Sequence, residues 1–183
     1  MLTRADDLAR LKVLDADDRA IELGSLWRER TAVLVFMRHF GCLHCREHLA
    51  QLLGDVDKVR AAGADIYVIG NGTPSFIAGF REQTGWAGPI YTDPSLAVYR
   101  AAELKRSVTS TLDPRSLGDA WKALRRGTRQ GRTQGDQWQQ GGTLVVAPSG
   151  DVRWHHASGR PGDNATGAQI VAALRQAGRT TGA

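Results

Sequence analysis

The strongest constraint on the fold is a continuous apolar run, Thr31 to Met37, that leads directly into a Cys-x-x-Cys pair. The run holds two valines and a phenylalanine, which is typical of a strand buried on both faces. The 183-residue chain has two cysteines, Cys42 and Cys45. Two cysteines placed at random would fall three apart in only about one such chain in a hundred. Thiol chemistry is therefore the first hypothesis.

A long amphipathic helix is predicted to follow, from about Cys42 to Ala62, with Gly63 suited to end it. This arrangement places Cys42 where a strand ends and a helix begins. Free backbone N–H groups and the helix dipole favour a thiolate at such a position. The predicted inner face of the helix repeats at three- and four-residue steps and consists of Leu49, Leu52, Leu53, Val56 and Val59.

The remaining elements alternate between strands and helices. Hairpins are predicted over 10–23 and 142–156, and further strands over 65–70 and 89–92. Helices are predicted to start at Thr73-Pro74, at Asp93-Pro94-Ser95 and, for the last one, near Ala165, ending near Ala177. We expect an α/β fold in one domain over 1–183, with a mixed, mostly parallel sheet flanked by helices and an N-terminal β-hairpin. This order is similar to the layout of the thioredoxin fold.

The net charge of +5 comes from one polar, basic segment. Between Arg100 and Gln140 there are nine basic and four acidic residues, so the rest of the chain is neutral. Residues 104–141 are predicted to be an insertion, either simply solvated or forming an electrostatic funnel for an anionic substrate or partner. Its aromatic residues are limited to Trp121 and Trp138, so nucleic-acid binding is not predicted.

No apolar run approaches the roughly 20 residues of a membrane helix, so no membrane association is predicted. The first residues contain no apolar stretch typical of a signal peptide, and we expect the protein in the cytoplasm. In that reducing compartment a Cys-x-x-Cys pair is catalytic or metal-binding more often than structural.

The residues around the pair assign a role to each sulfur. Arg38 and Arg46 flank Cys42 and are expected to lower its pKa, which raises the thiolate fraction. Cys42 is predicted to be the attacking thiol and Cys45, expected to be more buried, the resolving thiol.

Zinc binding is the competing chemistry, because His39, His44 and His48 lie near the two cysteines. Structural zinc sites usually take a second ligand pair from a distant segment, and only His155 and His156 could supply one. We predict no metal and no cofactor, and interpret His44 and His48 as solvent-facing and His39 as a residue that tunes or shields the thiolate.

With the site placed, the sequence resembles the peroxiredoxin-like branch of the thioredoxin superfamily, the AhpC/TSA-type antioxidant proteins that include the peroxiredoxin-like 2 group. The resemblance spans nearly the whole chain. The segments that carry it are Phe36–Leu49, Ile66–Gly70, Tyr91–Pro94, Gly141–Val146, Pro148–Val152 and Gly162–Asp163.

The sequence departs from two better-known patterns. Val35 and His39 stand where ordinary peroxiredoxins carry the proline and the threonine or serine of their peroxide-binding motif. Leu43-His44 replaces the Gly-Pro dipeptide of thioredoxins, and Gly142 or Thr143 takes the position of their cis-proline.

The resemblance implies a thiol oxidoreductase that reduces a peroxide, an endoperoxide or a disulfide. Cys42 would attack, Cys45 would close the disulfide, and a thioredoxin-like dithiol would restore both thiols. Arg38, Arg46 and Thr143 would position or stabilise the developing anion. A non-catalytic thioredoxin-fold binding protein or redox sensor remains the alternative. The oligomeric state stays open, with a dimer among the options.

Overall fold

The computed structural model describes residues 2–107, 125 and 135–180. Most of the predicted insertion, residues 108–124 and 126–134, lies outside the described residues. Within them, seven strands form one sheet in the order β2-β1-β5-β4-β3-β6-β7. The strands are β1 Lys12–Leu14, β2 Ala20–Glu22, β3 Thr31–Phe36, β4 Ala64–Gly70, β5 Ile90–Thr92, β6 Gly142–Val146 and β7 Val152–Ala157.

Helices cover both faces of the sheet. The α-helices are α1 Asp6–Ala9, α2 Leu43–Leu53, α3 Val56–Ala61, α4 Phe76–Thr84, α5 Ala97–Ala101 and α6 Gly167–Thr180, and a 3₁₀ helix spans Leu23–Trp27. Helices α2, α3, α4 and α6 contribute to one apolar core, whereas α1, α5 and the 3₁₀ helix contribute to the other. The predicted α/β layout with an N-terminal hairpin is confirmed.

Strand β3 belongs to both cores, which explains its unbroken apolar sequence. Val33 and Val35 lie in the core that also contains the two cysteines, whereas Leu34 and Phe36 lie in the core on the opposite face. Because side chains alternate between the faces of a strand, a strand covered on both sides is apolar throughout. Complete burial of each such side chain contributes about 1.5–3 kcal/mol to stability.

The sheet is mixed, but its parallel share is smaller than predicted. Among the strands that the structure describes, parallel pairing is confined to β3–β4 and β4–β5. The other four pairings are antiparallel, because the hairpins β1–β2 and β6–β7 extend the sheet at its two edges and meet β5 and β3 in antiparallel orientation.

The predicted single helix over 42–62 is wrong, because the chain breaks it at Gly54. There α2 ends and the N–H groups of Gly54 and Asp55 bond three residues back, to Gln51 and Leu52. Glycine disfavours a helix interior by about 1 kcal/mol relative to alanine, which favours a break at this position. Leu53, the last residue of α2, is 39% exposed, so its predicted place in the core is wrong.

Three smaller boundary differences have local causes. Helix α4 begins at Phe76 rather than at Pro74, because the hydroxyls of Thr73 and Ser75 bond each other at 2.8 Å and cap no backbone N–H. Helix α6 starts at Gly167, two residues later than predicted. The four-residue helix α1 was not predicted, and it is too short to show helical periodicity.

A buried tyrosine ties the helix α5 to the strand ends that position the cysteines. The hydroxyl of Tyr99 is placed against two backbone carbonyls, 2.6 Å from Met37 O and 2.9 Å from Ile69 O. Met37 also donates its own N–H to Ile69 O at 2.8 Å. These contacts fix the point where the chain leaves β3 for the thiol pair.

We expect Tyr99→Phe to lower the free energy of unfolding by about 1–3 kcal/mol, because it removes the hydroxyl donor from the Met37 carbonyl, whereas the Ile69 carbonyl keeps the N–H of Met37. Urea denaturation would measure the change. Tyr67→Phe is the matched control: Tyr67 is half-buried, and its hydroxyl makes no hydrogen bond within the described part of the chain. We expect Tyr67→Phe to change stability by less than about 0.5 kcal/mol, and equal losses in the two variants would contradict the role given to Tyr99.

Candidate active site

The thiol pair lies at the predicted junction of strand and helix. Strand β3 ends at Phe36, the chain makes a tight turn in which Cys42 donates its N–H to His39 O at 3.0 Å, and α2 begins at Leu43. Cys42 is the N-cap residue, with an extended backbone (φ −71°, ψ 122°). Its sulfur is therefore close to the free N–H groups of the first helical turn, as the sequence predicts.

Both cysteines are free thiols and both are buried. Cys42 is 2% exposed and Cys45 is 3% exposed. The expectation that Cys45 is the more buried of the two is therefore wrong. Apolar side chains from α2 and β3 surround both sulfurs, since both belong to one core.

The two sulfurs nevertheless have opposite acidities. A hydrogen bond from the Cys45 thiol, the nearby Arg38 guanidinium and the backbone N–H groups of Cys45 and His44 outweigh burial and lower the pKa of Cys42 to about 6. Burial and the neighbouring Cys42 sulfur raise the pKa of Cys45 well above its usual range. With a pKa of about 6, roughly nine tenths of Cys42 is thiolate at pH 7. This arrangement favours the thiolate on Cys42 and keeps the proton on Cys45.

Arg38 contacts both sulfurs and a neighbouring loop. Its backbone N–H lies 3.3 Å from Cys45 Sγ, and its Nη1 lies 3.8 Å from Cys42 Sγ. Its Nη2 donates to Gln137 O at 2.6 Å. The side chain is held in a position that stabilises negative charge on Cys42, because the loop carbonyl fixes one end of the guanidinium.

Arg46, a second residue predicted to stabilise the anion, has a weaker influence on the thiolate than Arg38. Arg46 is partly buried, which lowers its pKa, while the sulfurs of Cys42 and Cys45 raise it. Arg46 is not among the main causes of the shifted acidity of Cys42, so its influence on the thiolate is weaker than that of Arg38.

Thr143 reaches the thiol face of the sheet from strand β6. It lies directly opposite Val35 on β3 and His156 on β7. Val35 shares the cysteine core, and directly opposed residues of antiparallel strands share a face. Thr143 Oγ1 is buried and makes no hydrogen bond within the described residues, so it is available to a bound molecule.

Hydrogen bonds hold residues 135–140 beside the thiol pair. Arg38 holds the carbonyl of Gln137, and Asn71 Nδ2 donates to the carbonyl of Asp136 at 3.2 Å. The Asp136 carboxylate accepts from Arg106 Nε at 2.6 Å. The C-terminal end of the predicted basic insertion thus contacts the site.

The three histidines near the thiol pair differ in their burial. Burial and the charges of Arg38 and Arg46 lower the pKa of His39 to about 4, so His39 is neutral at pH 7. His44 is half-buried, whereas His48 is 5% exposed, which contradicts the expectation that His48 faces solvent.

In the part of the chain that the structure describes, no three histidine, cysteine, aspartate or glutamate side chains converge on one point. The described residues therefore contain no ligand set for zinc.

His48 has a structural role with a pH dependence. Its Nε2 lies 2.7 Å from Ala165 O, and burial lowers its pKa from 6.5 to about 4. The unfolded chain therefore binds a proton on His48 at a higher pH than the folded chain does. This contribution to stability is complete above about pH 6.5 and is lost as the pH falls towards 4.

We expect the free energy of unfolding to fall by about 2 kcal/mol between pH 7 and pH 5 through His48 alone. His48→Asn removes the titrating group, so its stability should depend less on pH by about that amount. Urea denaturation at the two pH values would measure the difference, with His44→Asn as the control at a half-buried position. A His48→Asn profile parallel to that of the unaltered protein would contradict the assignment.

Several residues of the site could not be identified from the sequence. Gln137 acts through its backbone carbonyl, which carries no side-chain signal. Asn71 directly follows strand β4 and is 3% exposed, and its position after a buried parallel strand was the signal that could have identified it. Asp136 lies in a stretch without periodicity and is recognisable only through its contacts.

Within the described residues, the helices are all too short or too polar to cross a lipid bilayer.

Comparisons with known proteins agree with the fold. The family model described as "AhpC/TSA antioxidant enzyme" matches residues 48–159, beginning three residues after Cys45. Peroxiredoxin-like 2C of Mus musculus is 35% identical over 161 residues, which cover 81% of this chain and 70% of that protein. The chloroplastic thioredoxin-like protein AAED1 of Arabidopsis thaliana is 36% identical, over 80% of this chain and 62% of that protein. Prostamide/prostaglandin F synthase of Sus scrofa is 36% identical over 85% of this chain and 79% of that protein.

Solved structures show the same fold at low sequence identity. Reduced Prx3 from Vibrio vulnificus aligns with a TM-score of 0.69 at 15% identity, over 96% of this chain and 99% of that chain. Peroxidoxin BcpB from Mycobacterium tuberculosis aligns with a TM-score of 0.64 at 19% identity, over 96% and 98%.

A thioredoxin-like fold with a polarised thiol pair at a strand-to-helix junction defines a thiol oxidoreductase of the thioredoxin superfamily. Within that superfamily, the chain belongs to the peroxiredoxin-like AhpC/TSA antioxidant enzyme family.

Proposed function

We propose that this protein reduces the O–O bond of a small peroxide or endoperoxide, with Cys42 as the nucleophile and Cys45 as the resolving thiol. The observation that carries the proposal is the opposite acidity of the two sulfurs. Cys42 is stabilised as a thiolate by Cys45 and Arg38, while Cys45 retains its proton. A nucleophile and a proton donor are thus held in contact.

The reaction has two chemical steps. In the first, the Cys42 thiolate attacks one peroxide oxygen and the O–O bond breaks. A hydroperoxide leaves a sulfenic acid on Cys42, whereas an endoperoxide leaves a sulfenate ester. The other oxygen leaves as an alkoxide or hydroxide and takes up a proton. In the second, Cys45 attacks the Cys42 sulfur and a disulfide forms. The oxygen on Cys42 leaves as water from a sulfenic acid, or as the second hydroxyl of a diol from the sulfenate ester of an endoperoxide. The peroxide gains two electrons, and the two thiols lose them.

The side chains around Cys42 support the first step. Arg38 lies where it would stabilise charge on the leaving oxygen, because its guanidinium is already fixed near the sulfur at 3.8 Å. Thr143 Oγ1 and His39 Nδ1 are buried and make no hydrogen bond within the described residues. Each would gain a hydrogen bond from a bound peroxide. Arg46 would add a weaker, longer-range contribution.

The reductant in this proposal is a thioredoxin-like protein. Its thiolate would attack the Cys42–Cys45 disulfide, and its second thiol would complete the exchange, so the donor leaves as a disulfide. The cycle then needs no bound cofactor, since the donor supplies both electrons.

The burial of the site favours a small oxidant over a protein disulfide. A protein disulfide must bring a bulky chain to within bonding distance of Cys42 in the dithiol form, in which that residue is only 2% exposed. The protein reductant, by contrast, meets the disulfide form. Hydrogen peroxide or a small organic hydroperoxide needs far less space. An endoperoxide is the second candidate, because one relative is named a prostamide/prostaglandin F synthase.

The test is stopped-flow oxidation of the reduced protein by hydrogen peroxide, cumene hydroperoxide and oxidised glutathione, followed by mass spectrometry. We expect both peroxides to react faster than the disulfide, and one Cys42–Cys45 disulfide to form per peroxide consumed. Faster reaction with oxidised glutathione would contradict a peroxide substrate. Oxidation without turnover in the presence of thioredoxin and its reductase would indicate a redox sensor.

A further inference from the structure

A second concave site lies at the other end of the sheet. A groove of about 500 Å³ is bounded by the start of β4, the end of α2, helix α3 and the loop before β5. It adjoins Ala64, at the start of β4, whereas the chain reaches the thiol pair beside Ile69. Five residues of extended chain separate these points by about 17 Å. The groove is therefore distinct from the site of the thiols.

The groove is apolar and suited to a small molecule. Its apolar lining includes Leu53, Val56, Ile66 and Trp86. Leu53, at the end of α2, is 39% exposed. Sites for small ligands usually have volumes of about 300–1,000 Å³, and this groove falls within that range.

The charges of the lining are not balanced. Asp65 is paired with Arg30, whose Nε lies 3.3 Å from Asp65 Oδ2. Arg60, on helix α3, lines the groove and makes no side-chain ion pair within the described residues. The groove thus offers one uncompensated positive charge beside an apolar surface.

A buried hydrogen-bond donor lies in the same wall. Trp86 is 2% exposed, and its Nε1 has no acceptor within the part of the chain that the structure describes. A side chain at Gly88 would come within 2.8 Å of that Nε1, so the nitrogen lies directly beside this glycine of the groove lining. Arg81 holds the loop in place through Nη1, which donates to the carbonyls of residues 86, 87 and 88 at 3.2, 3.2 and 2.9 Å.

We propose that the groove binds an amphipathic carboxylate, a molecule with an alkyl body and one carboxylate group. The alkyl body would cover Leu53 and Val56, which are otherwise in contact with water. Arg60 would supply the charge that pairs with the carboxylate, and Trp86 Nε1 the missing hydrogen bond. The proposal is independent of the redox reaction, since no atom of the groove takes part in it.

Isothermal titration calorimetry with decanoate tests the proposal on the full chain. We expect saturable binding at one site. Decanol, which has the same alkyl body without the charge, should bind at least about fivefold more weakly. Arg60→Gln should weaken decanoate binding by about fivefold or more, and Trp86→Phe, which keeps an aromatic ring but lacks the donor, by a similar factor.

Lys58→Gln is the matched control, because Lys58 lies on the same helix but outside the groove lining and pairs with Asp55. It should leave decanoate affinity unchanged, and the rate of Cys42 oxidation should be the same in all these variants. Equal binding of decanol and decanoate, or no effect of Arg60→Gln, would overturn the proposal. So would absence of binding together with a dimer that Leu53→Glu dissociates, because the occupant would then be a second copy of this chain.

Discussion

Cys42→Ser is expected to abolish peroxide turnover, because a serine hydroxyl at this position cannot replace a thiolate at neutral pH. We expect the rate to fall by at least about a thousandfold, to the level of the uncatalysed reaction. Peroxide consumption coupled to thioredoxin and its reductase would measure it. Full activity in Cys42→Ser would contradict the assignment of the nucleophile.

Cys45→Ser is the matched control, since it alters the second sulfur of the same helical turn. The first oxidation of Cys42 should still occur, and mass spectrometry should find a sulfenic acid or a mixed disulfide on Cys42. Cys45 also donates a hydrogen bond to Cys42 and lowers its pKa. Serine retains a hydroxyl donor at this position, so a moderate loss of rate in the first step is expected rather than its abolition.

Arg38→Gln is expected to slow the oxidation of Cys42 at pH 7 by about tenfold or more, because the guanidinium stabilises both the thiolate and the leaving oxygen. Without that charge the pKa of Cys42 rises above about 6, which lowers the thiolate fraction. Stopped-flow rates at several pH values would measure the effect.

Two comparisons distinguish the loss of the Arg38 charge from a structural disruption of the site. Raising the pH should restore the part of the rate that depends on the thiolate fraction, whereas a misfolded site would not recover. Arg46→Gln should have the smaller effect, because Arg46 is not among the main causes of the shifted pKa of Cys42. A larger loss in Arg46→Gln than in Arg38→Gln would contradict the roles assigned to the two arginines.

The position of the thiol pair was predictable because its signals are local. An apolar run over 31–37 identifies a strand buried on both faces, and the helical spacing after Cys42 identifies the next element. These two patterns place Cys42 at a helix start without any knowledge of the tertiary structure. The residues Arg38 and Thr143 followed from the family resemblance and from proximity to this junction, and their catalytic roles remain predictions.

The parts that were not predictable depend on contacts between distant segments. From the sequence, His48 is interpreted as a polar residue on an exposed helix face. In the structure its ring contacts the carbonyl of Ala165, a residue 117 positions later in the chain. The carbonyl of Gln137 reaches Arg38 across 99 positions. A polar side chain can be buried at low cost only when it has a hydrogen-bond partner. Here the partners are backbone carbonyls of distant segments, and only the packing of the whole sheet brings them into contact.

The helix break at Gly54 shows a different limit. The apolar spacing continues through the break, because Val56 and Val59 pack on the same side of the sheet as Leu49 and Leu52. A periodic pattern therefore suggested one helix where the chain forms two. Leu53, the last residue before the break, is exposed and forms part of the groove that we propose as a second binding site.

The most direct test of the account is the pKa of Cys42, measured by the ultraviolet absorbance of its thiolate as the pH is raised. We expect the unaltered protein to show a transition near pH 6, consistent with the hydrogen bond from Cys45 and the charge of Arg38. Cys42→Ser should lack this transition, while Cys45→Ser should retain one. A single transition at the pKa of an ordinary thiol, about 8.5, would contradict an activated nucleophile at Cys42.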